Sequence, residues 1–150
     1  MKSIRVGPCI CGVLSTLALC NPPAASAQSN PDPCGLLTQA EVGAATGASV
    51  GPGHALGETC NWTGTPRVIV SLWYPGATMW QSIEHPNAMV KQVPAPGLGD
   101  TAFYNTLGGF ATLGVKKGTT DFVVKVYGIT DLSKQMSIEK SLAQSVLTKM

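Results

Sequence analysis

The chain has 150 residues, enough for one domain with its own core, and only 12% of them are charged, against ~25% in ordinary soluble domains. Ten Lys+Arg stand against eight Asp+Glu, and two of those cations, Lys2 and Arg5, lie in an N-terminal segment without acids. Beyond residue 27 the two signs balance at eight each, which excludes an electrostatic nucleic-acid binder, since that needs a basic face.

The chain opens on the anatomy of a secretory signal. Lys2 and Arg5 precede a mostly apolar run from Val6 to Leu19, Pro22-Pro23 follow, and Ala25-Ser26-Ala27 presents small residues where a signal peptidase reads. The apolar run is shorter than the ~20 residues of a membrane-spanning helix. Cleavage after Ala27 leaves Gln28 first. The expected organisation is a signal peptide over 1–27 and one secreted domain over 28–150, periplasmic or extracellular. Leu17-Ala18-Leu19-Cys20 competes as a lipobox, but the residue before such a cysteine is normally small and Leu19 is not. Membrane attachment is expected only if Cys20 is lipidated.

Cleavage removes Cys9, Cys11 and Cys20 and leaves Cys34 and Cys60. An even count in a chain bound for an oxidising compartment points to a disulfide. Closing a loop of about 26 residues stabilises by about 3.5 kcal/mol in the chain-entropy account.

Residues 28–33 read as a polar lead-in. Thr38 and Glu41 form a capping box, Leu37 and Val42 hold the staple positions, and Gly47 stops the helix. The glycines and proline of 48–58 read as loop. Thr59 to Thr63 is a short strand, Gly64-Thr65-Pro66 a turn, and Arg67 to Tyr74 the clearest strand. It alternates Val68, Val70, Leu72 and Tyr74 against Arg67, Ile69, Ser71 and Trp73. Thr78 to His85 is a short helix ended by Pro86. Val93 to Gly99 reads as a linker.

Three strands follow, Thr101 to Asn105, Phe110 to Lys117 and Thr120 to Tyr127, turned by Gly108-Gly109 and Gly118-Thr119 into a meander. Asp131 or Ser133 caps a last helix with the stripe Leu142, Ala143, Val146, Leu147 and Met150. The fold class is α+β: an antiparallel sheet of about five strands covered by N- and C-terminal helices.

The opening Asp32-Pro33-Cys34-Gly35-Leu36-Leu37-Thr38, with Glu41-Val42, Cys60-Asn61-Trp62, Gly97-Leu98-Gly99-Asp100 and Ala102, resembles small bacterial secreted proteins and lipoproteins of unknown function. The resemblance spans about residues 32–150. It implies an envelope or extracellular setting, a Cys34–Cys60 bond and no assigned activity.

No constellation carries chemistry on its own. Gly97-Leu98-Gly99-Asp100-Thr101-Ala102 fits G-x-G-x-x-A, but a proline-rich loop precedes it and a strand follows. Dinucleotide binding needs the reverse context, so turn chemistry with Asp100 capping is expected. His54 and His85 have no metal-ligand spacing around them and no nucleophile elbow accompanies them. No catalytic residue, metal or cofactor is expected.

Glu139 falls on the last helix's apolar stripe, where burial would raise its carboxyl pKa and could mark a site, although the commoner outcome for a Glu near the N-terminal end of such a stripe is to reach solvent or pair with a lysine. Trp62 is expected to pack on the disulfide, and Asn61-Trp62-Thr63 is a glycosylation sequon. Trp73 faces away from the aliphatic set of its strand, and Trp80 follows on the short helix. These two form the candidate binding surface, unless helices cover both faces and make them core.

The expected function is a non-enzymatic envelope binding protein whose partner is an envelope protein or a small apolar or glycan ligand. The alternatives are a small secreted hydrolase with dispersed Ser, His and acid residues, or an inhibitor or immunity-type protein. N-terminal sequencing and intact mass of the exported protein should give Gln28 first and no lipid. A diacylated Cys20 at the N-terminus would contradict that.

Overall fold

The computed structural model describes residues 30–150, so the expected signal peptide and Cys20 lie outside the described residues. In chain order the elements are α1 (Pro33–Leu36), α2 (Gln39–Thr46), β1 (Ser49–Val50), β2 (His54–Leu56), β3 (Thr59–Thr65), β4 (Val68–Trp73), α3 (Gly76–Glu84), β5 (Lys91–Pro94), β6 (Thr101–Leu107), β7 (Phe110–Lys117), β8 (Thr120–Tyr127) and α4 (Leu132–Leu147).

Local chemistry sets several boundaries. Asp32 accepts from the Cys34 N–H and caps α1. Thr38 and Glu41 close the capping box of α2, and Gly47 ends it with φ 69°. Asp131, not Ser133, caps α4 by accepting from the Lys134 N–H.

All pairings are antiparallel, in the order β1-β3-β4-β8-β7-β6-β5, with β2 beside β3. The sheet therefore has eight strands, which corrects the expectation of about five. The added strands are β1, β2 and β5, of two, three and four residues. They are too short for alternation to register, and each lies among glycines and prolines. The β4–β8 pairing joins the two halves of the chain into one sheet.

The two faces differ. On one, Val70, Leu72, Leu113, Val115, Phe122 and Val124 pack with Leu142, Ala143 and Val146 in the main core, where each buried side chain contributes roughly 1.5–3 kcal/mol. The helix α4 lies against β7 and β8, and α2 against α4 and β1. On the opposite face α3 covers only part of the sheet. Its Trp80 packs on Phe103 with ring centroids 5.6 Å apart. Gly114 lies directly beneath, where a Cβ would press on Phe103, Trp80 and Ile83, so a strand glycine marks the close approach of a helix.

The C-terminus is tied to the start of the domain. Lys149 Nζ donates to Glu41 Oε2 at 2.7 Å and to the Leu36 carbonyl at 3.0 Å. The lysine, and then the Thr38 backbone N–H, hold the Glu41 carboxyl down at about 2.

Cys34 and Cys60 are bonded, which joins α1 to β3. Trp62 is buried, and Gly53 lies against both its ring and Cys60 Sγ. Because α1 is a single turn of four residues, the bond does most to fix its position. Changing Cys34 or Cys60 to Ser should lower stability by about 2–5 kcal/mol in urea denaturation. An unchanged midpoint would contradict this.

Candidate functional site

The β7–β8 hairpin contains a break that organises the site. Its turn, Gly118-Thr119, leaves Lys117 opposite Thr120 as the closing pair, and the register runs from there to Leu113 opposite Val124. In an antiparallel pair, opposed residues alternate between bonded and non-bonded positions, so Ala111 and Val126 are due to form the next bonded rung. They do not pair.

Side chains from α4 take the place of that rung. Gln135 Nε2 donates to the Val126 carbonyl at 2.7 Å and to the Ala111 carbonyl at 3.1 Å. Glu139 Oε1 accepts from the Val126 N–H at 3.0 Å. Gln135 and Glu139 lie one helical turn apart on the same face of α4, as i, i+4 spacing requires, and both are fully buried. Gln135 Nε2 also reaches Glu139 Oε1 at 3.4 Å.

Burial pushes the Glu139 carboxyl up to about 7, against the Val126 and Gln135 hydrogen bonds, which pull it down. Glu139 Oε2 and Gln135 Oε1 have no hydrogen-bond partner. A protonated Glu139 makes Oε2 a donor beside a side chain with an unused acceptor, so the neutral acid suits this place better than the carboxylate. Nearby, the Tyr104 hydroxyl donates to the Met136 carbonyl at 2.8 Å. Burial, then Glu139, raises its pKa to about 12.

On the other face of the sheet the break lies under a concavity of about 480 Å³, lined by Val90, Asn105, Leu107, Phe110, Thr112, Lys125 and Tyr127. Ile69 opposes Tyr127 and Leu107 opposes Phe110. These four residues carry a row of exposed apolar surface across β4, β8, β7 and β6, with Phe110 53% and Leu107 55% exposed. Lys125 Nζ sits 4.8 Å from the Tyr127 ring centroid. Asn105 is held in place, donating to the Ile83 carbonyl at 2.6 Å and accepting from Gln92 at 3.2 Å. A second concavity shares Tyr127 and is lined by Thr59, Ser71, Trp73, Pro75 and Met79.

The tryptophans singled out from the sequence divide. Trp80 is buried under α3 at 3% exposure, because the short helix folds back onto Gly114 and Phe103. A partner cannot touch it while α3 stays in place. Trp73 lies on the same sheet face, half-buried, in the wall of the second concavity. Leu107, Phe110 and Lys125 were not singled out. An apolar residue on each side of the Gly108-Gly109 turn is the signal that marks the first two.

Other candidates have structural places. Asp100 Oδ2 accepts from the Gly118 N–H at 2.6 Å, so it caps the neighbouring hairpin's turn instead of its own. Gly99 has φ 54° and touches the Lys116 carbonyl, a contact only glycine allows. His54 is exposed on β2, and His85 is exposed at the end of α3, with Glu84 at 4.0 Å. Among the described residues no cluster of His, Cys, Asp and Glu has the makings of a metal site. No described helix is long and apolar enough to cross a membrane. Asn61 of the sequon is half-buried and hydrogen-bonded to Ser71. Comparison with protein-family models, with curated proteins and with solved structures gives no match.

The Glu139 site makes stability depend on pH. The unfolded chain releases this proton near 4.5 and the folded chain near 7. Between those values the folded state holds the extra proton, so its stability falls as pH rises through the window and levels off above it. The fall is at most about 3 kcal/mol. Glu139→Gln keeps an acceptor for Val126 and places a donor where the acid proton sits. It should flatten the dependence of urea midpoint on pH between about 5 and 8. A slope equal to the parent's would contradict the assignment.

Proposed function

We propose that the protein is an exported binding module that receives a small apolar ligand in the groove above the β7–β8 break. The observation that carries this reading is the exposed row of Ile69, Tyr127, Phe110 and Leu107 on the part of the sheet that α3 leaves open. Apolar side chains on a solvated sheet face have no role in the main core, and such patches mark contact sites. The concavity beside them, about 480 Å³, is of ligand size. Four partly exposed side chains fall well short of the ~800 Å² per partner of a stable protein interface, so a small molecule fits better than a folded partner. The signal-like N-terminal sequence supports a secreted setting, and the Cys34–Cys60 bond accords with an oxidising compartment.

The reading is of binding and not catalysis. Ligand contact rests on aromatic and aliphatic surface, and the buried acid Glu139 is engaged with strand backbone. An environment-sensitive apolar dye such as N-phenyl-1-naphthylamine should bind saturably at one site. Phe110→Asp should weaken binding by about tenfold or more, with little change in Tm because the ring is largely exposed. Dye binding that is absent, or indifferent to Phe110→Asp, would overturn the proposal.

A further inference from the structure

We infer that the ligand is a single-chain amphiphile with a carboxylate head, held by Lys125, and an aliphatic tail laid along Tyr127, Phe110 and Leu107. This rests on the reading of the groove as a binding site and names the chemistry of its occupant.

The charge pattern points to the head. Lys125 is the one charged residue in the groove wall. Among the described residues it has no carboxylate within 4.0 Å, the ion pairs there being Lys149–Glu41 and His85–Glu84. Its strand neighbours across β4 and β6–β7 are neutral: Ser71 opposes it on β4, and Thr112 and Asn105 oppose each other on β7 and β6. Its ammonium rests over the Tyr127 ring, a cation–π contact that holds the charge at the edge of the apolar row. The buried acid Glu139 feels the Lys125 charge but makes no ion pair with it within 4.0 Å, its Oε1 being engaged with the Val126 N–H and Gln135. A lone, unpaired cation beside apolar surface suits one negative charge on the ligand. One lysine, without an arginine fork, suits a singly charged carboxylate better than a phosphate.

The apolar row sets the tail. From Tyr127 on β8 to Leu107 on β6 it crosses two strand spacings, roughly 10 Å. Lys125 stands on β8 within this row's width, and Phe110, Leu107 and Val90 lie to one side of it. The tail then runs in one direction from the head across β7 and β6. That length suits a medium-chain fatty acid.

The test is titration of the purified, detergent-free protein, in the form the cell accumulates, with laurate, with dodecanol and with phosphatidylglycerol vesicles. Laurate should bind at one site, more tightly than dodecanol. Lys125→Met should weaken laurate by about tenfold or more while leaving dodecanol unchanged. Equal binding of laurate and dodecanol, both indifferent to Lys125→Met, would refute the carboxylate head and leave the apolar groove standing. Binding of the vesicles without binding of free laurate would refute the single-chain ligand. Failure of all three, with no displacement of a bound apolar dye, would overturn the groove reading itself.

Discussion

One missing rung of strand pairing governs this structure. Where Ala111 and Val126 should exchange backbone hydrogen bonds, Gln135 and Glu139 of α4 supply a side-chain substitute. Buried backbone polar groups must be paired, and leaving one unpaired costs roughly 1–3 kcal/mol. The sheet can therefore open at this point only because two long polar side chains, one helical turn apart, reach three of its backbone atoms. Apolar replacements at both positions would fill the core equally well and leave those atoms unpaired. The polar pair thus fixes where α4 sits along the sheet as well as how the strands part.

That constraint connects the two faces. The helix α4 is anchored at the break from the core side, and its Ile138, Leu142, Ala143 and Val146 are buried around the same strands. On the solvent side, α3 covers the neighbouring part of the sheet through Trp80, Phe103 and Gly114 and leaves the strand ends beyond it open. The groove lies where the strands part, bordered by the end of α3, whose Ile83 carbonyl holds Asn105 in its wall. The apolar row and Lys125 around it form one surface with a defined polarity, in keeping with the proposed amphiphile.

Much of the local structure was legible in the residues. The capping box at Thr38 and Glu41, the stop at Gly47 and both long strands of the last hairpin follow from short-range chemistry, and the Cys34–Cys60 bond follows from cysteine arithmetic. The short strands β1, β2 and β5 were not legible, because two to four residues carry no period and their pairing is decided by tertiary contact. The burial of Trp80 was not legible either. It depends on α3 folding over Gly114, and the strand glycine was the available cue. Glu139 stood out as a polar residue on an apolar stripe. Gln135, one turn earlier, was its unread partner, since the pattern reveals a buried polar pair but not the strand atoms it meets. The groove was missed for a related reason: its walls come from strands that meet only in the folded sheet.

Residue-specific amide hydrogen exchange at Val126 tests the break and its side-chain bridge most directly. In the native protein the Val126 N–H should exchange about as slowly as that of Val124, which lies within the regular register. Glu139→Ala should accelerate exchange at Val126 by about tenfold or more beyond any change at Val124, because it removes the acceptor from one amide and not from the other. Equal acceleration at the two amides would mean that the substitution acts only through global stability. It would contradict a side-chain bridge in place of the missing rung.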